Sequence, residues 1–475
     1  MSQPAWYLPS FTRFLSLRWC FFLFWTLVAV LCLWGIWGGS LSTWDEALTA
    51  ERAREMFRQG WSMTVHKCGQ PDFNKPPLYY WMAAAGFWVF GLGEFAARLP
   101  SALMGLACMV VVYRLARGYG ADTLGGLLAV SLLAANASWV NLSREALLDS
   151  GMTLSMLLSL WAYAFHPRPT RGAILAGISL AFGFWLKNPS VLMILPAMFA
   201  HSWTGGRRDY RRLLMVAAVA FALGSIWYVH QYLVWGERFS DFFFNYNVAK
   251  RFTEDFEGHR SQWYFYLSDM YKYAPHMLIL AGSLLAALVM RQYSPSLGVI
   301  VQLCSIVPWI AAIHVMHSKR HPYIIPAYPF LAVAGSELLT SMAGRFRNSR
   351  NARIALHAFL LFALAVFASR YDWKMSNNHA LKDAVRFMAQ NCTDDARFTL
   401  NVPAHVVSFY SDAVVDGLDK SAAQPQSSAA CVLYNTKNSA HLPDVLSNAT
   451  CIWGIQDHLG VWRIAGGAPA QGSTP

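Results

Sequence analysis

Long apolar segments separated by short polar turns recur along most of the chain. The run from Cys20 to Gly38 has 19 residues without a charged side chain, long enough for a helix to cross a hydrocarbon core of about 30 Å. Similar runs follow it, so a cleaved signal peptide is a poor interpretation of the first one. We predict about eleven spanning helices, with approximate cores at 19–39, 96–113, 121–141, 146–165, 172–186, 189–203, 213–235, 275–290, 295–316, 322–341 and 354–370.

Composition supports a membrane protein. Apolar residues make up 55% of the chain and charged residues 13%, whereas soluble domains usually carry about 25% charge. The net charge of +12 would suit a nucleic-acid partner, but the basic residues lie in the turns between apolar runs. We therefore predict contact with membrane lipids and no nucleic-acid partner.

The positions of the arginines predict the orientation, because short cytoplasmic loops of membrane proteins are enriched in basic residues. We place the N-terminus, with Arg13 and Arg18, in the cytoplasm. Alternate turns then carry Arg114, Arg117, Arg168, Arg171, Arg207, Arg208, Arg211, Arg212, Arg291, Arg345, Arg347, Arg350 and Arg353. The extracytoplasmic segments are then a first outer loop at 40–95, a loop at about 236–274 and the tail from residue 371.

The chain divides into a transmembrane domain at 1–370 and a C-terminal domain at 371–475. Short strand patterns at 397–402, 431–434 and 451–455, with a helix at 380–390, predict a small α/β fold whose Gly- and Ala-rich end is disordered. The predicted fold class is thus a polytopic all-α membrane bundle with outward amphipathic loop helices and a small C-terminal α/β domain. Cysteines in polar segments could pair in an oxidising compartment, but sequence does not give the pairing. They are Cys68, Cys392, Cys431 and Cys451.

The first outer loop opens with an amphipathic helical pattern that begins near Asp45. Its apolar face predicts a helix lying on the membrane surface. Asp45 and Glu46 occupy the first turn, where carboxylates stabilise a helix N-terminus, and Thr43 and Glu46 have the spacing of a capping box. The alternative is functional: a carboxylate at the membrane face could take a proton from an acceptor hydroxyl or orient it.

Farther along this loop, Lys75 precedes two prolines and the aromatic run Tyr79-Tyr80-Trp81. The prolines restrict the backbone, and a cation fixed at headgroup depth suits a phosphate. The alternative for Lys75 is a side chain that only snorkels to the interface. By the predicted topology, several ionisable residues share this outer side, where such residues are usually functional. They are Asp45, Lys75, Asp149, Arg251, His259, Lys319 and Tyr323.

From Asp45 through Ala102 the chain resembles the aminoarabinose transferase-like (ArnT-like) glycosyltransferases, which belong with the protein O-mannosyltransferases in the GT-C class. The resemblance rests on Asp-Glu, Phe-x-Lys-Pro-Pro-Leu-x-Tyr-Trp and Glu-Phe-Ala-Ala-Arg-Leu-Pro-Ser-Ala. Looser matches lie at 144–149, 185–189, 250–260 and 318–326, and in the second of these Asn188 replaces a glycine.

The resemblance implies an enzyme that moves a sugar, aminoarabinose or a hexose, from an undecaprenyl- or other polyprenyl-phosphate carrier to an extracytoplasmic lipid A, glycan or protein acceptor, with inversion at the anomeric carbon. The roles it suggests fall into two groups. Asp45, Glu46 and Asp149 are the candidate catalytic acids. The candidate donor-binding residues are Lys75, Tyr80, Arg251, His259, Lys319, Arg320 and Tyr323.

Two alternative functions stay open from the sequence: a transporter or flippase of lipid-linked sugars, and a receptor or assembly subunit whose C-terminal tail is the functional part. A transporter or flippase of lipid-linked sugars would also combine many spans with cations at headgroup depth, although carriers usually place such residues in mid-membrane. No cofactor is required, yet the acids and His259 are suitable ligands for a divalent metal. The family likeness, with no ER-retention signal, favours the inner membrane of a bacterium.

Overall fold

The computed structural model is mostly helical. Its described residues are 18–42, 44–204, 209–249, 262–291, 293–345, 359, 362–363, 365–372, 375, 379–392, 396–400, 402–411, 416–417, 430–435, 449–456 and 459–464. Arg251 and His259 lie outside these residues, as do Thr43, much of the predicted span at 354–370 and the predicted disordered end.

The helices, with two short 3-10 turns and one π-helical segment, account for most of the described chain up to residue 345. They are α1 Arg18–Leu33, α2 Asp45–Gln59, α3 Leu78–Phe90, α4 Glu94–Gly118, α5 Thr123–Ala134, α6 Ala137–Arg144, α7 Asp149–Phe165, α8 Pro169–Leu186, the 3-10 turn Pro189–Ile194, α9 Leu195–Thr204, α10 Tyr210–Gly224, α11 Ile226–Trp235, α12 Glu237–Ser240, the π segment Asp241–Ala249, α13 Phe265–Tyr273, α14 Pro275–Val289, α15 Leu297–Val315, the 3-10 turn His321–Ile324 and α16 Ala327–Arg345. A hairpin of β1 Val65–Lys67 and β2 Gln70–Asp72 lies between α2 and α3.

Four helical stretches of the described chain are long and apolar enough to cross a membrane. They are Glu94–Gly118, Pro169–Leu186, Tyr210–Trp235 and Leu297–Val315. The pair α5 and α6, bent by 70°, would make a fifth. These helices confirm a helical protein with several apolar spans, whereas the count of about eleven stays a prediction.

The helix α7 packs between α4 and α8 and carries Asp149 at its first residue. Small residues allow this close approach, as in many membrane helix pairs. A Cβ atom at Gly151 would lie 2.6 Å from both Leu186 Cδ1 and Met104 Sδ. The close contact sets the start of α7 beside the end of α8, where Lys187 follows.

A second set of contacts lies at the other end of these two helices, where α7 ends and α8 begins. There Tyr119, Phe165 and His201 form an aromatic cluster, and Arg212 donates a hydrogen bond to the Tyr163 carbonyl oxygen. A helix of the length of α7 spans about 25 Å. Tyr119, Phe165 and Arg212, in or beside turns predicted to be cytoplasmic, therefore lie well away from Asp149.

The helix α2 does not lie on a surface as its amphipathic pattern predicted. Glu51, Arg52, Arg54 and Glu55 are all buried, because the hairpin, α3 and a C-terminal helix cover them. Charges are tolerated in such a position when they are paired. Arg54 Nε lies 2.8 Å from Glu51, and its Nη2 lies 3.0 Å from Glu55.

The C-terminal region described here contains helices and a mixed sheet. The elements are α17 His379–Asn391, β3 Ala396–Leu400, α18 Ala404–Ser411, β4 Asp416–Gly417, β5 Ala430–Asn435, β6 Ala449–Gln456 and β7 Leu459–Ile464. The strand order is β4-β3-β5-β7-β6, with β3 parallel to β4 and β5, and β7 antiparallel to β5 and β6. A disulfide joins Cys392 at the end of α17 to Cys431 in β5, a pairing that the sequence left open.

Candidate active site

Two adjoining cavities lie beneath the first outer loop. The polar cavity, of about 390 Å³, is lined by Trp44, Asp45, Leu48, Thr49, Arg52, Lys67, Gln70, Pro71, Asp72, Asn74, Lys75, Leu147, Leu148, Asp149, Lys187, Phe242, Arg320, Pro322, Tyr323 and His405. The apolar cavity, of about 380 Å³, is lined by Asn74, Lys75, Pro76, Met152, Lys187, Asn188, Pro189, Ser190, Met193, Phe243, Trp309, Ala312, Ile313, Met316 and Tyr323. Four residues line both cavities and so form the junction between the polar and the apolar cavity: Asn74, Lys75, Lys187 and Tyr323.

Asp45 faces the polar cavity from the first turn of α2. Arg320 Nη1 lies 3.2 Å from each of its carboxylate oxygens. The Asp45 side chain is 45% exposed and the Arg320 side chain 17%. The pair therefore stands at the cavity wall, where a ligand can reach the carboxylate.

Asp149 and Lys187 form a second pair at the cavity. Lys187 Nζ lies 2.5 Å from Asp149 Oδ1, and both side chains are largely buried. The ammonium group also lies 5.7 Å from the centre of the Tyr323 ring. This pair places one of the predicted acids, one predicted aromatic residue and a further cation at the junction of the two cavities.

Lys75 reaches this junction from the loop after the hairpin. The loop is held by Asp72, whose Oδ1 accepts a hydrogen bond of 2.9 Å from the Asn74 amide. Asp72 Oδ2 accepts from Arg52 Nε at 2.9 Å, and this charge partner keeps the pKa of Asp72 below its usual value despite burial. The prolines that follow Lys75 lead into α3.

Tyr80 lies behind the polar cavity and is not among its lining residues. Its hydroxyl accepts a hydrogen bond of 3.4 Å from Arg52 Nη1, and its side chain is fully buried. Tyr80 thus supports Arg52, which does line the cavity, and has no direct route to a ligand there.

Glu46 points away from both cavities into the protein. Its oxygens lie 2.6 and 3.1 Å from Arg98 and accept backbone hydrogen bonds from Ser42 and Ala146 at 2.7 and 3.1 Å. Glu46 and Arg98 are both fully buried. Each carboxylate oxygen of Glu46 already accepts two hydrogen bonds. Glu46 therefore stabilises the structure, and we do not include it among the proposed catalytic residues.

Lys319 and His321 flank Arg320 in the chain and do not line the apolar cavity. With Trp44, Asp45, Phe265, Arg320 and Pro322 they line a shallow cavity of about 530 Å³. Lys319 Nζ donates to the Met316 carbonyl oxygen at 2.9 Å. His321 Nδ1 lies 2.7 Å from both carboxylate oxygens of Asp269, and its Nε2 lies 2.9 Å from Ser138 Oγ. These contacts fix the segment that carries Arg320.

The structure therefore brings together five predicted residues at the polar cavity: Asp45, Lys75, Asp149, Arg320 and Tyr323. It also adds residues that our sequence assignment omitted. Lys187 had a signal, since it lies in a segment that matches the family, but it was not assigned a role. Arg52, Lys67, Asp72 and His405 carried no signal, because their positions depend on the hairpin and on the fold of the C-terminal region. The described residues contain no group of three or more metal-ligating side chains.

Residues 74–232 match the model of a family described as dolichyl-phosphate-mannose-protein mannosyltransferase. An uncharacterized protein from Aquifex aeolicus is 27% identical over 330 residues, which cover 67% of this chain and 64% of that one. An undecaprenyl phosphate-alpha-4-amino-4-deoxy-L-arabinose arabinosyl transferase from Pseudomonas fluorescens is 27% identical over 314 residues, 63% of this chain and 56% of the relative. The chain thus spans less than two thirds of the length of these two relatives.

The fold is similar to a crystal structure of ArnT from Cupriavidus metallidurans bound to undecaprenyl phosphate. The superposition has a TM-score of 0.74 and covers 94% of this chain and 98% of the other, at 16% identity. At that identity the likeness shows the fold alone. It agrees with the predicted GT-C bundle.

Proposed function

We propose that this chain is an ArnT-like member of the GT-C family and an integral membrane glycosyltransferase that uses a polyprenyl-phosphate sugar. The observation that carries the proposal is the junction of the two cavities. The apolar cavity meets the polar cavity at Lys75, Lys187 and Tyr323. A lipid phosphate has the same division, with an apolar tail and an anionic head.

The charge of the polar cavity supports a phosphate ligand. Its lining contains five cations, Arg52, Lys67, Lys75, Lys187 and Arg320, against three carboxylates, Asp45, Asp72 and Asp149. The formal sum is +2. Fixed cations in a partly dry cavity stabilise the charge that develops on a departing phosphate, and Lys75 and Lys187 stand where the prenyl tail would end.

In the proposed reaction, the bond between the sugar C1 and the phosphate oxygen breaks as an acceptor oxygen bonds to C1 from the opposite side. The electron pair leaves with the phosphate, next to Lys75 and Lys187. A hydroxyl acceptor loses its proton to Asp45, while an acceptor that is already ionised needs Asp45 only for orientation. Arg320 pairs with Asp45 before the substrates arrive and turns to an anion when they bind.

The remaining assignments are part of the same proposal. Asp149 holds Lys187 in place, and Lys319 contributes positive charge on the acceptor side. Arg251 and His259 lie outside the described residues, and their role in binding the donor phosphate stays a prediction from the sequence. The site faces the outside of a bacterial inner membrane, and the acceptor is a lipid A, glycan or protein there.

The test is transfer or hydrolysis by the purified full chain in its native lipids, with a panel of undecaprenyl-phosphate sugars as donors. We expect wild type to turn over one of them, and Lys75→Ala to lose most of that activity. Lys272→Ala, at an exposed position on α13, is the matched control. Donor binding without turnover by wild type, unaffected by Lys75→Ala, would instead indicate a carrier of lipid-linked sugars.

A further inference from the structure

His405 comes from the C-terminal region but lines the polar cavity. Every other lining residue lies between Trp44 and Tyr323. Among the described residues of the C-terminal region, His405 is thus the one that reaches this cavity. Its side chain is largely buried there, with 9% of the residue exposed.

The position of His405 is set by several contacts of α18. The Leu41 amide donates a 2.7 Å hydrogen bond to the Tyr410 hydroxyl, which in turn lies 3.1 Å from Glu94 Oε1. Lys382 in α17 forms an ion pair with the same carboxylate. On the next turn of α18, Ser408 Oγ lies 3.8 Å from Cys68 Sγ. These contacts fasten α18 to the two segments that flank α2, so the imidazole has little freedom to leave the cavity.

Within the cavity, His405 packs edge-on against the Trp44 ring, with the ring centres 5.8 Å apart. Neither Trp44 nor His405 lines the apolar cavity. Trp44 is half-exposed and also lines the shallow outer cavity. The pair therefore borders the route from outside to Asp45.

We propose that His405 is a positioning residue for the acceptor, and that the C-terminal region thereby helps to select it. This inference rests on the proposed glycosyl transfer. In-line attack requires the acceptor on the side of C1 opposite the phosphate, and the phosphate lies at Lys75 and Lys187. The acceptor then enters past Trp44, whose ring gives it an apolar surface. The imidazole of His405 forms a hydrogen bond with an oxygen atom of the acceptor, from a hydroxyl or a phosphate.

The test separates acceptor effects from donor effects. Transfer from the undecaprenyl-phosphate sugar that wild type uses is measured against increasing amounts of a lipid extract of the cell envelope, for wild type, His405→Ala and His405→Gln. Binding of undecaprenyl phosphate is measured separately. Ser411→Ala is the control, since Ser411 lies at the end of the same helix but does not line the polar cavity.

We expect His405→Ala to raise the apparent KM for the acceptor about tenfold, the effect of losing one hydrogen bond. Donor affinity and kcat should change less than about twofold, within the usual scatter between variants. His405→Gln, which keeps a hydrogen-bonding group, should recover part of the loss, and Ser411→Ala should match wild type. The glutamine variant also covers the case in which the alanine variant fails to fold.

Three results would count against the inference, and they would do so in two different ways. An unchanged acceptor KM in His405→Ala, or a loss of donor affinity equal to the loss of transfer, would overturn the role of His405 and leave the glycosyltransferase standing. A wild type that transfers no sugar to any acceptor would remove the proposed function, and this inference with it.

Discussion

Arg320 Nη1 lies 3.2 Å from both carboxylate oxygens of Asp45, although 275 residues separate them in the chain. The pair ties the first outer loop to the segment after α15. It also orients the candidate base toward the polar cavity. An anionic substrate that draws Arg320 toward itself would open Asp45 to an acceptor hydroxyl.

Replacing Asp45 should impair chemistry and spare binding. In Asp45→Asn we expect transfer to a hydroxyl acceptor to fall by at least about 100-fold, the usual contribution of a general base. Affinity for undecaprenyl phosphate should stay near that of wild type, measured on the same preparation. Asp241→Asn, at an exposed carboxylate, is the control. If Asp45→Asn kept more than about a tenth of the transfer rate, Asp45 would be no more than a stabiliser of the α2 N-terminus.

Replacing the neighbouring acid, Glu46, should lower the stability of the protein and spare its transfer activity. Glu46→Gln breaks a fully buried ion pair with Arg98, and leaving one charge of such a pair alone costs about 3–5 kcal/mol. We expect a lower apparent melting temperature and a lower yield of folded protein. Folded Glu46→Gln protein should retain transfer, so a specific loss of activity at unchanged stability would show that Glu46 has a catalytic role after all.

Lys187 should affect both stability and donor binding, and a double variant can separate the two. Lys187→Ala leaves Asp149 buried without its partner, so we expect lower thermal stability and about tenfold weaker binding of undecaprenyl phosphate. In Lys187→Ala with Asp149→Asn, the melting temperature should recover while donor affinity stays weak. Recovery of both would mean that Lys187 serves only to neutralise Asp149.

The buried charges of α2 predict a dependence of stability on pH. Burial raises the pKa of Glu51 to about 7, even though Arg54 acts in the opposite direction. The folded state then binds a proton more readily than the unfolded state, so this contribution is fully present below about pH 4.5 and is lost as the pH rises through about 7. We expect the melting temperature of wild type to fall between about pH 5 and pH 8, and that of Glu51→Gln to fall less.

The exposed Glu237 offers the control for this experiment. Its substitution by Gln should leave the pH profile of wild type unchanged. A profile for Glu51→Gln that parallels wild type would assign the pH dependence to other groups, such as Glu145, where burial likewise raises the pKa, to about 8.

Much of the helical framework could be predicted because hydrophobic periodicity is a local property of the chain. The predicted cores at 96–113, 146–165 and 295–316 fall within or across α4, α7 and α15. The motif around Lys75 likewise located one wall of the site. Its resemblance to a known family was specific because several residue types recur together at fixed spacing.

The contacts that complete the site could not be predicted, since they join distant parts of the chain. The pattern of α2 could not show that its charged face would be covered. That depends on Asp72 in the hairpin and on α18. In the same way, spacing alone made Asp45 and Glu46 equal candidates. The turn of the helix decides between them, because it directs Glu46 to Arg98 and Asp45 to the cavity.

The hydrogen bond between the Leu41 amide and the Tyr410 hydroxyl spans 369 residues of sequence, and it bears on the order of assembly. As α2 leaves the ribosome, the helix that will cover its charged face is still to be made. The first outer loop is therefore among the earliest segments synthesised and among the last to reach its final packing. A chain interrupted before α18 would hold its membrane helices and the Lys75 loop, yet the side of α2 that α18 covers would be left exposed. Proteases should therefore cleave such a chain in the first outer loop.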